Sequence, residues 1–414
     1  MSLTSVPGVN IIGAGLAGSL LAILLGRRGF QVAVYERRPD PRLASTHGGR
    51  SINLALAARG IRGLELAGVL ERVMPLTTTM RGRMVHEHDG AAELQMYGVR
   101  PNEVIYSVAR GDLNRVLIEA AAALPNVRFN YGQLCLGLAH EKTVLEMRDE
   151  TTGRIYHTAA QPSIATDGAG SEVRDSLMAR EISTVREEPL EHDYKELTIP
   201  ARDGKHVMEP NALHIWPRGG FMLIALPNLD GSFTATLFLA IHGANSFDEL
   251  SSPPAVDAFF AREFPSAKAL MPDLLREFFE HPQGSLGTVY TRGWHLGGEV
   301  LLLGDAAHAI VPFHGQGMNC AFEDCGELLR LMNRHDTWPG LFQAFEAERR
   351  PNTDAIAQMA LENYVEMRAA VLDDEYRSRK KVAEELERKD PNFIPRYSKV
   401  MFHPEISYAA ALTR

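Results

Sequence analysis

The chain is poor in cysteine: of 414 residues only Cys135, Cys320 and Cys325 carry thiols, an odd number with no CxxC spacing. That excludes a disulfide framework, argues against a zinc site and fits a reducing cytoplasm. Long apolar runs are also missing. None approaches the roughly 20 residues that span a bilayer, so no membrane anchor is expected. No basic segment precedes the first strand-like stretch, so no signal peptide is expected either. Positive charge is not in excess: 43 Lys and Arg stand against 52 Asp and Glu, a net charge of −9. That argues against nucleic acid as a partner, because its phosphates demand a basic surface. The cations are scattered, so an anionic ligand has to be met by a local site rather than by a global field. HExxH, a Ser-His-Asp arrangement and an obligatory carboxylate pair are all absent from the pattern.

What is present reads as a globular protein. Hydrophobic residues make up 45% and charged residues 23%, and the length predicts two or three domains. The opening stretch VNIIGAGLAGSLLAILLGRRG followed by QVAVYE predicts strand, turn, helix, strand, with Val9–Ile12 as the first strand and Gly29 closing the helix. Residues 53–72 and 111–124 have helical periodicity, with strands and turns between them, including EVIYSVAR. From about 182 to 295 strand composition dominates. HIWPRGGFMLIALPNLDGSFTATLFLA predicts a hairpin turning at 227–231. EVLLLGDAAHAI predicts a buried strand running into a loop, and 316–388 is almost wholly helical, its RKKVAEELERK stretch a solvated face.

Three segments carry chemistry. Gly13, Gly15 and Gly18 form a GxGxxG between strand and helix, with Glu36 ending the next strand. The glycines permit a tight turn, close backbone approach to a pyrophosphate and close helix–strand packing, while the helix N-terminus offers free N–H groups. An acid at that distance hydrogen-bonds a ribose hydroxyl. This motif alone does not separate NAD from FAD. Downstream, Asp167-Gly168-Ala169-Gly170 closes one strand and Gly304-Asp305-Ala306-Ala307-His308 another; Pro312-Phe313-His314-Gly315-Gln316-Gly317-Met318-Asn319 then opens a helix. A positive helix end there would stabilise negative charge on a reduced flavin.

These segments, in this order, resemble the FAD-dependent aromatic-ring hydroxylases. GGRSINLAL, RGRMVH, NEVIYSVAR, HIWPRGGFMLIALPN, PFHGQGMN and ENYVEMR resemble the kynurenine-hydroxylating branch of that family. The resemblance implies an α/β fold. A Rossmann-like FAD-binding domain would comprise 1–75, 106–180 and 290–345, with an inserted β-sheet substrate domain from 76–105 and 181–289 and a C-terminal helical region at 346–414. It implies bound FAD, transient NADPH, O2 and L-kynurenine as partners, and a monomer or homodimer. The ring would be hydroxylated by a flavin C4a-hydroperoxide, which needs no strong protein base because the aniline nitrogen already activates its ortho carbon. The protein's task is to orient the ring and exclude water.

By the same resemblance the cofactor contacts Gly13, Ala14, Gly15, Leu16, Ala17, Gly18, Glu36, Arg37, Arg38, Ala55, Arg110, Leu134, Asp167, Asp305, Gly315, Gln316, Gly317, Met318 and Asn319. Arg83, Tyr97 and Asn363 would hold the substrate's carboxylate and amino group, Arg83 as the carboxylate fork. Tyr397 is a further polar candidate. Phe238, Phe313, Pro312, Met222, Leu213 and Leu226 are candidate ring walls, against the plain alternative that such residues are core packing. His314 stands where many relatives of the family carry Phe, a departure that argues against an aromatic role there. His308 and His314 are tempting proton carriers, though a lone loop histidine more often serves as a structural hydrogen-bonder. Three rival functions are a related flavin hydroxylase acting on a phenolic or other aromatic acid, a flavin-bound protein without hydroxylase activity, and a flavin reductase of isoprenoid chains, which would need a long apolar tunnel rather than an Arg and Tyr pair.

Overall fold

The computed structural model describes residues 3, 8–43, 53–140, 143–368, 374–390 and 392–413. Residues 48–52 of the GGRSINLAL segment lie outside these.

A six-stranded sheet carries the glycine motif. Its order is His295–Leu296, Val300–Leu302, Ser163–Ala165, Gly8–Ile12, Gln31–Glu36, Val127–Tyr131, parallel throughout except for the first pair. Parallel strands need crossovers that cover both faces, so they read as unbroken apolar runs. Gly8–Ile12, Ser163–Ala165 and Val300–Leu302 are accordingly buried at every position. The glycine-loop helix, Leu16–Arg27, is buried from Gly18 through Gly26, which explains its lack of a polar stripe. The predicted helix over 53–72 is corrected at its start. Asn53–Leu56 is a strand pairing with Ile105–Ala109, and helix begins only at Ala58. Alternating apolar residues over four positions fit either period, and cross-strand pairing decided this one.

A seven-stranded sheet forms the second layer, ordered Gln283–Arg292, Thr184–Ile199, Phe233–Ala240, Met222–Pro227, Ala212–Pro217, Gly82–His86, Ala92–Met96. The expected hairpin is present, with Met222 opposite Phe238 and Pro227 opposite Phe233. Thr77–Met80 pairs with Ile105–Ala109 in a separate three-stranded sheet. One face of the large sheet packs Leu223, Leu237, Phe233 and Trp216 against Phe259, Phe260 and Phe264 from the helical stretch beyond it.

Two helices join the layers. Gly317–Met332, hereafter the cleft helix, packs on the glycine-loop helix and on Ala58–Leu66. Trp338–Arg368 is a single long helix with Pro351 inside it. Arg396–Phe402 and Tyr408–Leu412 then fold back onto this framework. Among the described residues no helix is long and apolar enough to cross a membrane.

Candidate active site

The glycine turn has the geometry its sequence demands. Gly13 adopts φ +94°, and a Cβ there would lie 2.6 Å from the Thr166 carbonyl oxygen. At Gly18 a Cβ would meet the Gly13 carbonyl at 2.0 Å, so helix and turn touch with no room for a side chain. Gly15 faces open space, where a phosphate could approach the backbone. No side chain caps the first turn of the glycine-loop helix, so its amides remain available to an anion. Glu36 ends its strand beside this turn. It accepts from the Ala14 amide at 2.9 Å and from the backbone and Nε of Arg38, also at 2.9 Å. Burial pushes its pKa up, but these bonds outweigh that and hold the carboxyl below its ordinary range.

Asp305 is open to solvent, yet surrounding protein desolvates it enough to raise its pKa, with His308 and Arg110 opposing. Asp305 is thus accessible yet closely surrounded by protein, as a residue at the wall of a cleft would be. Arg110, itself exposed at the start of its helix, lies close enough to exert its charge on both Asp305 and Tyr194. Asp167 is also desolvated, with a raised pKa, and neither of its oxygens accepts a well-directed hydrogen bond. Across the cleft the cleft helix begins after Gln316 without a side-chain cap or an acid in its first turn. Uncapped amides at two helix ends, an acceptor at Asp305 and a cation at Arg110 suit a flavin dinucleotide: phosphates at the first helix end, sugar hydroxyls at Asp305, and the pyrimidine edge of the flavin at the second helix end.

The remaining cofactor candidates hold varied positions. Ala14 is buried, Leu16, Ala17, Ala55, Leu134 and Met318 are half-buried, and Arg37 is exposed. Asn319 is wholly buried. Its Oδ1 accepts from the Ala57 and Gly60 amides, and its Nδ2 donates to the Ala55 and Gly315 carbonyls. The side chain therefore braces the loop rather than reaching a ligand. Gln316 is likewise buried, its Oε1 accepting from the Tyr408 hydroxyl at 2.7 Å.

A second cavity, of about 410 Å³, opens beside His314 and brings together Arg83, Tyr97, Asn363 and Tyr397. Four separate stretches supply them. Arg83 is on a strand of the large sheet, Tyr97 just past its edge strand, Asn363 on the long helix and Tyr397 on Arg396–Phe402. The Arg83 guanidinium carbon lies 5.8 Å from the Tyr97 ring centroid and 5.2 Å from that of Tyr397. Burial raises both tyrosine pKa values, with Arg83 opposing, so both hydroxyls are neutral donors. Asn363 donates through Nδ2 to the Phe313 carbonyl at 2.6 Å, tying the long helix to the loop. His314 stacks on Tyr397 at 5.4 Å with 19° between the planes. His314 thus presents a flat ring at this position. Burial drops its pKa to about 4, and Arg83 and Arg396 push it the same way; it is neutral at physiological pH.

None of the six candidate ring walls lines this cavity. Met222, Phe238 and Phe313 pack with Ile215 and Tyr364, Leu226 packs in the cluster holding Tyr97, and Leu213 touches both clusters. The antiparallel register sets Met222 directly against Phe238, which makes them cross-strand core partners. Pro312 alone is exposed. His308 proves to be a structural hydrogen-bonder, its Nε2 2.6 Å from Asp324. Sequence reasoning missed Asp324, Gln95, Met359 and Tyr364. The ENYVEMR segment held a signal for Tyr364, beside Asn363, whose ring stacks on Phe313 at 3.9 Å.

Comparison with known proteins bears on this geometry. The family model of an FAD-binding domain matches residues 7–360. Kynurenine 3-monooxygenase of Stenotrophomonas maltophilia is 48% identical over 98% of this chain and 89% of its own, and that of Myxococcus xanthus 47% over 95% and 85%. The chain belongs to the kynurenine 3-monooxygenase family. It is an FAD-dependent monooxygenase. In fold it matches 2-methyl-3-hydroxypyridine-5-carboxylic acid oxygenase, with a TM-score of 0.68 at 20% identity over 98% of this chain and 97% of that one. PqsL from Pseudomonas aeruginosa, solved with 2-aminobenzoylacetate, matches at 0.69 and 20% over 88% and 99%. At that identity these two establish architecture alone.

Proposed function

We propose that this protein hydroxylates L-kynurenine to 3-hydroxykynurenine, taking electrons from NADPH and oxygen from O2. The observation that carries the substrate is the convergence of Arg83, Tyr97, Tyr397 and Asn363 on one pocket next to the loop that starts the cleft helix. FAD, when bound, supplies the oxygen activation. The chain's own residues bind, orient and shield. Arg83 pairs with the amino-acid carboxylate, the Tyr97 hydroxyl donates to the same group, and the carbonyl oxygen of Asn363 accepts from the ammonium. His314 and Tyr397, stacked, present flat surfaces, and their burial keeps water from the reacting atoms. Arg83 and the charge-neutral hydroxyls favour an amino acid over a simple phenolic acid, which would leave the ammonium acceptor unmatched. The three cysteines are buried and free, which supports work in a reducing compartment such as the cytoplasm.

The test is aerobic NADPH oxidation by the flavin-loaded protein with and without L-kynurenine, with mass identification of the product. Hydroxykynurenine formed in step with NADPH loss supports the reading. NADPH consumed to give only hydrogen peroxide would leave a hydroxylase whose substrate is another aromatic acid.

A further inference from the structure

A buried carboxylate outside both pockets holds the turn that carries Asp305. Asp324 lies on the cleft helix and is wholly buried. Its Oδ2 accepts from the Gly304 amide at 3.1 Å and from His308 Nε2 at 2.6 Å, and its Oδ1 accepts from Arg349 Nε at 2.7 Å. Gly304 and His308 are the two ends of one tight turn, Asp305–His308 with Gly304 as its cap. Asp305 sits between them. One side chain therefore grips the Asp305 turn at both ends. The turn is also pressed on the helix: Gly304 has φ +64°, and a Cβ there would lie 3.3 Å from the Ala321 Cβ.

Asp324 follows Gly317, the first residue of the cleft helix, by seven positions. That is about two turns, so both lie on the same side of the helix roughly 10 Å apart. The same rigid rod that offers its N-terminus to the cleft thus also holds the acceptor opposite. Resting on the FAD assignment of this cleft, we propose that Asp324 is the positioning residue that fixes the spacing between the Asp305 carboxylate and the N-terminus of the cleft helix, and so sets how tightly and in what electrostatic environment the flavin is held. Loss of the Asp324 charge frees the turn and, among the described residues, leaves Arg349 paired with Glu323, which it contacts at 2.8 Å.

Two plainer roles are weighed by the same contacts. The Asp324 carboxylate, His308 Nε2 and Cys320 Sγ lie within 4.8 Å of one another, a spacing a metal ion can span. Arg349, however, donates to both Asp324 and Cys320 and already supplies the positive charge. A purely structural ion pair is the other role, and it makes a different prediction about the flavin.

The experiment is Asp324→Asn in the FAD-loaded protein, with His308→Gln as a second variant that loosens only one end of the turn. The readouts are FAD release rate by recovery of flavin fluorescence, the flavin absorption spectrum and midpoint potential, all well below the melting temperature. We expect FAD release from Asp324→Asn to rise about ten-fold or more, with a shifted spectrum and a raised potential, and a smaller change of the same sign in His308→Gln. The KM for L-kynurenine should stay within two-fold of the parent, because Asp324 lines no part of the substrate pocket. A lowered melting temperature with unchanged FAD release, spectrum and potential would overturn the proposal. If Asp324→Asn does not fold, an unchanged flavin in His308→Gln does the same. If the parent itself binds no flavin, the FAD assignment falls first, and that outcome is read before either variant.

Discussion

Replacing Arg83 by Met gives the sharpest test of the substrate pocket. Arg83 is 9% exposed and flanked by two aromatic rings, so its pairing with a carboxylate is poorly screened. Truncating one partner of such a desolvated, hydrogen-bonded pair costs about 2–5 kcal/mol. At about 1.4 kcal/mol per factor of ten, kcat/KM for L-kynurenine should fall by roughly thirty-fold to a few thousand-fold. A carboxylate remote from the reacting ring is bound alike in ground and transition states, so most of the loss should appear in KM. Arg83→Lys keeps the charge but loses the planar fork and should recover only part of it. Steady-state NADPH oxidation coupled to product quantification measures all three proteins, with FAD content checked by absorbance. If Arg83→Met retains kcat/KM within about three-fold of the parent at equal FAD content, Arg83 is not the carboxylate partner.

The His314 imidazole, with its pKa held near 4 against about 6.5 when unfolded, contributes stability that is complete above pH 6.5 and lost as pH falls toward 4, about 3 kcal/mol in all. His314→Phe keeps the stack on Tyr397 and should flatten the fall in urea-unfolding free energy between pH 7 and pH 5; His86, also near 4, leaves a residual slope. Tyr408→Phe removes the donor to the buried Gln316 carbonyl and should cost about 1–3 kcal/mol by chemical denaturation; no change would mean that Gln316 finds another partner. Gly18→Ala forces a Cβ onto the Gly13 carbonyl, so the purified protein should carry far less FAD; full flavin content would contradict the close packing of turn and helix.

The flavin cleft was legible because its constraints are local. A turn with Gly13, Gly15 and Gly18 is written within six residues, and the strands on either side are apolar because parallel sheets are covered on both faces. Asn53–Leu56 was misread as helix because four residues cannot distinguish two periodicities, and only pairing with Ile105–Ala109 did so. Of the candidate substrate residues, Arg83, Tyr97 and Asn363 follow from family resemblance and Tyr397 only from its polar type, since nothing local relates positions 83 and 397. Residue type alone did not relate the apolar wall candidates: it was the sheet register that set Met222 and Phe238 side by side on one face.

By itself, then, the sequence determined the glycine turn, the strand and helix ends that bear Glu36, Asp305 and the GQGMN loop, and the family. Each rests on backbone geometry over a few consecutive residues. The tertiary structure alone decided that Asn319 and Gln316 turn inward to brace the cleft, that His314 keeps a flat ring against Tyr397, and that Asp324 grips the Asp305 turn from both ends. Those contacts join residues 16 to 264 positions apart. They depend on how helices and sheets pack, and no periodicity in the chain records that.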